Sequence, residues 1–175
     1  QHNPTASGVE RHAGSLKGFE TLDMNVLEAR AHRWKFNVLT GECREQPMSD
    51  TCAEFPMING RHAGRPHRYS YNARCARGLF AFDGLIKHDL DTQVEELFEF
   101  EPGVFISETV MAPRDNSTAE DDGYLVTFAS DLNNDISEAL VFDAASLMEG
   151  PVCRIQLPER ISSGTHSTWA PSTDL

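Results

Sequence analysis

Three short stretches hold the residue types that could do chemistry. The last is Gly164-Thr165-His166-Ser167-Thr168-Trp169, whose histidine lies nine residues before the C-terminus. The first is Glu54-Phe55-Pro56-Met57-Ile58-Asn59, running on to Gly64-Arg65-Pro66-His67-Arg68-Tyr69. Between them stands Glu120-Asp121-Asp122-Gly123-Tyr124-Leu125, which leads through Val141-Phe142-Asp143-Ala144 to Gly150-Pro151-Val152. Imidazole is a general acid, a general base or a metal ligand, and a carboxylate that accepts its outer ring N–H fixes the tautomer. Sixty-six residues separate Glu54 from Glu120, and 46 separate Glu120 from His166. Such distances exceed any helix-local motif, so only a tertiary fold could bring the three together.

The order and content of these stretches, from about Ala31 to Pro171, resemble the C-terminal part of the carotenoid cleavage oxygenases, the non-haem iron family that includes the stilbene-cleaving dioxygenases. The resemblance implies an all-β fold, part of a seven-bladed β-propeller with Fe(II) on its axis, held by four histidines from different blades. His166 matches the last of them, and Glu54 and Glu120 fall where the family places carboxylates that brace ligand histidines. The implied reaction splits a conjugated carbon–carbon double bond of a carotenoid, apocarotenoid or stilbene with O2 into two carbonyl compounds, with no organic cofactor. Four neutral imidazoles leave the charge of a divalent iron uncompensated, which is why bracing carboxylates suit the site. Thr165 and Ser167 depart from the bulky residue and the glycine that usually flank this histidine, a difference that bears on the pocket wall.

His2, His12, His32, His62, His67 and His88 match none of the upstream ligand motifs. The chain therefore reads as the C-terminal portion of a longer enzyme, with about two blades and part of a third, unable to assemble the iron site alone. A catalytically silent propeller segment that serves as a binding module is the alternative. Any peripheral membrane contact would come from parts outside this sequence.

Composition narrows the remaining classes. With 27 acidic and 15 basic residues and a net charge of −12, the chain lacks the clustered Lys and Arg of a nucleic-acid footprint. Cys43, Cys52, Cys75 and Cys153 form no Cys-x-x-Cys pair, which argues against a zinc site and fits reduced thiols in a cytoplasmic protein. No apolar run approaches the ~20 residues that span a bilayer, and Asn116-Ser117-Thr118 is read as an incidental acceptor motif.

The elements that must position these residues read as strands. Trp34, Phe36 and Val38 alternate with Lys35, Asn37 and Leu39, and Thr40-Gly41 marks a hairpin turn. Gly84–Leu90 and Val94–Phe100 flank Asp91-Thr92, the run from Glu95 to Glu101 reading as a half-exposed strand. Val104–Met111, Gly123–Ser130, Ala139–Asp143 and Val152–Leu157 form a final four-stranded unit. In its second strand both faces are largely apolar, as expected of a blade packed between neighbours. Asp121-Asp122-Gly123 is turn chemistry that would aim Glu120 inward while the two aspartates cap loop N–H groups. Arg65, His67 and Arg68 are expected to pair with carboxylates, residues 1–20 read as loop or disorder, and a helical turn is expected at Ala144–Met148.

Overall fold

Strand-forming sequence becomes ten antiparallel strands in the computed structural model, which describes residues 24–162 and 164–172. The loop expected over residues 1–20, with His2 and His12, lies outside the described residues. A single helical turn, α1 (Met24–Leu27), precedes β1 (Arg30–Phe36) and β2 (Cys43–Met57). Between these two strands Asn37 accepts the backbone N–H groups of Leu39 and Thr40 at 3.0 and 3.2 Å, and Gly41 takes φ +75°. That left-handed position is the one glycine occupies without a Cβ penalty, so the turn expected at Thr40-Gly41 forms there.

The long β2 serves two partners. Its first part pairs with β1, from Phe36↔Cys43 to His32↔Pro47, and its last part pairs with β3 (Tyr69–Cys75). β4 (Phe82–Asp89) and β5 (Val94–Glu99) complete the sheet in the order β1-β2-β3-β4-β5. The second sheet holds β8 (Gly123–Asp131), β9 (Ile136–Asp143) and β10 (Pro151–Gln156), with β6 (Val104–Ile106) and β7 (Val110–Pro113) both along the free edge of β8. Each sheet is thus a blade of consecutive antiparallel strands, the first extended by the β1–β2 hairpin. The helical turn expected near Ala144–Met148 is the 3-10 turn Leu147–Glu149, and another covers Gly60–His62. No helix among the described residues is long and apolar enough to cross a membrane.

The core lies between the two blades. Tyr71, Ala73 and Leu85 of the first face Ile106, Leu125, Leu140 and Phe142 of the second, all at most 2% exposed. Phe98 extends this packing by stacking edge-on against Phe142 at 5.2 Å. The far face of the first blade is polar yet buried: Ser70, Asn72 and His88 lie there, where the hairpin base crosses. Thr51 donates to Glu95 at 2.9 Å and Arg33 to the Leu90 carbonyl at 3.3 Å, holding the crossing in place.

Two expectations need correction. The strand expected over Val104–Met111 is interrupted at residues 107–109, for a reason that becomes plain at the site. The two faces of β8 are also unequal: Leu125, Thr127 and Ala129 are at most 1% exposed, whereas Tyr124 and Val126 are half-buried and Phe128 is 42% exposed. One face meets the first blade, and the other is left partly open because no further sheet covers it among the described residues.

Arg68 pairs with a carboxylate as expected, donating through Nε and Nη2 to Asp89 at 3.0 and 2.6 Å. That bidentate contact, joined by the amides of Asp91 and Thr92, holds the Asp89 carboxyl well below the usual carboxylate range. A depressed folded-state value stabilises the fold above the unfolded carboxylate range, about pH 4, and the stabilisation fades as pH falls below it. Asp89→Asn is therefore expected to narrow the gap in urea midpoint between pH 7 and pH 3. An unchanged gap would show that Asp89 carries no acid-linked stability.

The hairpin exposes a row of large apolar side chains: Trp34 at 54%, Phe36 at 70%, Val38 at 92% and Leu39 at 94%. Net charge −12 opposes association only over a Debye length of about 8 Å, which is ineffective at contact. Sedimentation of the 175-residue chain should show self-association, and Phe36→Ser with Val38→Lys and Leu39→Lys should reduce it with the circular dichroism unchanged. Identical sedimentation of the two proteins would exclude this surface as the cause.

Candidate metal centre

Two interruptions of the β ladder, one in each blade, meet at His166. In the first blade the register slips between Glu54↔Ala73 and Met57↔Tyr71. Pro56 has no N–H to give to the ladder, and Phe55 before it takes φ +54°, an uncommon conformation for a bulky residue. The bulge turns the Phe55 ring toward the C-terminal segment, where its edge meets the His166 imidazole at 5.6 Å and 79°.

In the second blade the edge strand breaks at Ser107-Glu108-Thr109. The backbone groups freed by the break remain satisfied: Ser107 N donates to Phe128 O at 2.9 Å, and Phe128 N donates to Ser107 Oγ at 3.3 Å. Thr127 Oγ1 donates to Ser107 O at 3.1 Å. β8 thus holds the interruption from behind. The Glu108 carboxylate leaves the edge toward the C-terminal segment, where Oε2 accepts the Ser167 amide at 2.5 Å and stands 3.4 Å from His166 Nδ1.

This geometry gives His166 a carboxylate partner on one side of its ring. A carboxylate beside Nδ1 favours the tautomer with hydrogen on Nδ1, leaving Nε2 with its lone pair free. The Glu108 side chain is 11% exposed and that of His166 is 80% exposed, so the carboxylate is anchored and the ring is presented outward. One imidazole oriented in this way fits a single ligand of a metal centre. No group of three or more His, Cys, Asp or Glu that could hold an ion occurs among the described residues.

Glu120 makes its contacts away from His166. Its carboxylate accepts Arg68 N at 2.9 Å and Tyr69 N at 2.7 Å, and its carbonyl accepts Asn59 Nδ2 at 2.8 Å. His62 Nδ1 is 3.9 Å away. The carboxylate beside His166 is Glu108, and Glu120 instead ties the loop after β2 to the turn before β8. The neighbouring aspartates pair with side chains rather than capping loop amides: Asp121 binds the buried Lys87 at 2.8 Å and Asp122 binds Arg114 at 2.8 Å. Glu54 is half-buried, and no hydrogen bond or ion pair engages its carboxylate among the described residues. Of the three residues singled out in the sequence, the structure brings the Glu54-Phe55 bulge to His166 and leaves Glu120 outside the contact. In the sequence Glu108 is masked by the apolar run from Val104 to Met111, where three polar residues in mid-run are the local sign of the break.

An apolar cleft of about 450 Å3 opens beside this histidine. Its wall includes Phe55, Phe80, Phe82, Phe105 and Phe128, half of the ten phenylalanines in the chain. Gly164 and Thr165, directly before His166, form part of its rim, as does Arg160, whose guanidinium donates to the Asp131 and Ile136 carbonyls. A cleft of this size and lining suits an extended apolar or aromatic molecule. His32, His67 and His88 occupy a strand, a loop and a strand respectively, as expected of ordinary blade positions, and His88 is buried in the first blade.

If Glu108 is the clamp on the histidine segment, Glu108→Ala should speed amide hydrogen exchange at Ser167 by about tenfold, equivalent to about 1.4 kcal/mol, while Leu125 and Leu140 keep their protection. Equal exchange at Ser167 in both proteins would show that other contacts hold the segment.

The retinal pigment epithelial membrane protein family model matches residues 3–171. The carotenoid cleavage oxygenase of Mycobacterium tuberculosis is 32% identical over 147 residues, covering 81% of this chain and 29% of that protein. The lignostilbene-alpha,beta-dioxygenase isozyme III of Sphingomonas paucimobilis is 28% identical over 158 residues, covering 82% and 32%. Among solved structures, cobalt-substituted Synechocystis apocarotenoid oxygenase superposes with a TM-score of 0.76 at 27% identity, over 81% of this chain and 30% of that one. The chain thus spans about a third or less of the length of the relatives it matches. Its two blades are part of the propeller of those enzymes, and the ladder breaks, the clamped histidine and these likenesses together make this chain a member of the carotenoid cleavage oxygenase family.

Proposed function

We propose that this chain supplies one histidine ligand, its bracing carboxylate and part of the substrate cleft to an iron(II)-dependent dioxygenase that cleaves a conjugated carbon–carbon double bond. The observation that carries this reading is the His166–Glu108 pair beside a phenylalanine-lined cleft. The substrate class is an apolar polyene or a stilbene, matched to that lining, and the products are two carbonyl compounds. A relative whose solved form is cobalt-substituted supports a metal at the corresponding centre.

Iron, when bound, would supply the activation of dioxygen. The chain's own residues have simpler tasks. His166 would offer Nε2 to the metal, and Glu108 would keep hydrogen on Nδ1 and offset part of the metal's charge. Glu54, half-buried with a free acceptor, would brace a further ligand histidine, one this chain does not provide. Phe55 would limit rotation of the His166 ring and wall off water from the cleft. Glu120 would act at one remove, by fixing the loop that follows the Glu54 bulge.

The test uses the full-length enzyme. His166→Ala should abolish both metal retention and double-bond cleavage, and Glu108→Gln should lower metal affinity or activity by about 10–100-fold. Glu120→Gln should leave bound metal at the wild-type level and lower the melting temperature instead. Turnover that survives His166→Ala would remove the ligand role and favour a silent propeller segment that serves only in binding.

A further inference from the structure

We propose that Cys52 and Cys75 form a cross-strand dithiol that closes reversibly into a disulfide behind the aromatic wall of the cleft. The β2–β3 register sets Ala53 against Arg74 and Glu54 against Ala73. The next residues on the two strands, just beyond the last pair of this ladder, are Cys52 and Cys75. Directly opposed residues of an antiparallel pair share a face and lie about 4.5 or 5.5 Å apart at Cα. Both separations fall within the roughly 4.4–6.8 Å range of a disulfide.

Both thiols are free and both pack on the same core, close enough that Cys52 helps to raise the Cys75 thiol. Cys52 Sγ in turn donates to the Met24 carbonyl at 3.4 Å. Cys75 belongs to the core at 4% exposure, and Cys52 packs against that core while half-buried. The other two cysteines are exposed, Cys43 at the far end of β2 and Cys153 on β10.

Burial pushes the Cys75 thiol up, and the contact with Cys52 adds to this, so Cys75 stays protonated at neutral pH. Cys52, the more exposed sulfur, therefore meets a small peroxide first. Its thiolate attacks one peroxide oxygen and the O–O bond breaks. The departing hydroxide takes a proton and leaves as water, with a sulfenic acid remaining on Cys52. The Cys75 sulfur then attacks the Cys52 sulfur, the S–O bond breaks, and the hydroxyl leaves with the Cys75 proton as a second water. Two thiols are oxidised to one disulfide, and one peroxide is reduced to two waters. A dithiol reductant reverses the bond by exchange.

The bond would tie β2 to β3 two residues before Glu54 and three before Phe55, at the start of the ladder break that carries Phe55 to His166. The redox state of the pair would thereby set how far the bulge can move, whether or not a metal is bound.

The experiment treats the reduced 175-residue chain with hydrogen peroxide at low protein concentration, alkylates remaining thiols and maps the peptides by mass spectrometry. The expected product is a Cys52–Cys75 linked pair about 2 Da lighter than the two reduced peptides, with Cys43 and Cys153 alkylated, and dithiothreitol restores the free thiols. Backbone amides at residues 53–55 should exchange more slowly in the linked form. Cys52→Ser should leave Cys75 alkylated after the same treatment, and the wild-type map stands even if that variant folds poorly. Separate alkylation of Cys52 and Cys75, linkage of either to Cys43 or Cys153, or sulfinic acid on Cys52 beside a free Cys75 would overturn the dithiol. Unchanged exchange at 53–55 in a linked protein would overturn its effect on the bulge. Neither readout depends on metal binding or on cleavage.

Discussion

Packing between the two sheets, through Leu85, Leu125, Leu140 and Phe142 at zero exposure, is the contact on which the site depends. Neither Phe55 nor Glu108 could meet His166 if the blades were free to slide, because each belongs to a different blade. Removing a buried leucine from such a core typically costs about 2–5 kcal/mol. The geometry at the histidine thus rests on apolar packing that contains no chemistry of its own.

Regular antiparallel ladders cannot build this site. A continuous strand sends alternate side chains to opposite faces, and along the β6–β7 edge it would keep Glu108 in the sheet with its neighbours. The break at residues 107–109 releases the carboxylate, and Ser107 and Thr127 supply the hydrogen bonds that a continuous ladder would have made. At Phe55 the compensation is different: a positive φ costs on the order of 1–3 kcal/mol in a non-glycine residue, and packing of the ring against Phe82 and His166 offsets it. Both departures from ideal structure occur beside the same imidazole, which is where functional strain is expected to collect.

The acidity of the chain has a structural side as well. Asp89, Glu120, Asp121 and Asp122 each engage a named donor: a guanidinium, main-chain amides, a buried ammonium and a second guanidinium. These contacts fasten the loop after β2, the β4–β5 turn and the turn before β8. Glu108 and Glu54 stand apart from this group. One holds the histidine segment, and the other keeps its acceptor free beside the bulge.

Much of this was legible in the residues. Alternating apolar positions and turn residues such as Gly41 and the Asp91-Thr92 pair predict the strands, because side-chain alternation and turn chemistry are local properties. His166 and the Glu54 stretch are marked by motifs, and the acidic composition argues against a nucleic-acid footprint. Whether Glu120 or Glu108 stands beside His166 was decided only by the fold. Both glutamates lie in short polar stretches near β8, and what separates them is which end of that strand each adjoins. Glu120 precedes its start and finds the amides of Arg68 and Tyr69. Glu108 lies across from its middle, at Thr127 and Phe128, where the C-terminal segment returns to the sheet. That return is a contact between residues 59 positions apart, and no local pattern encodes it.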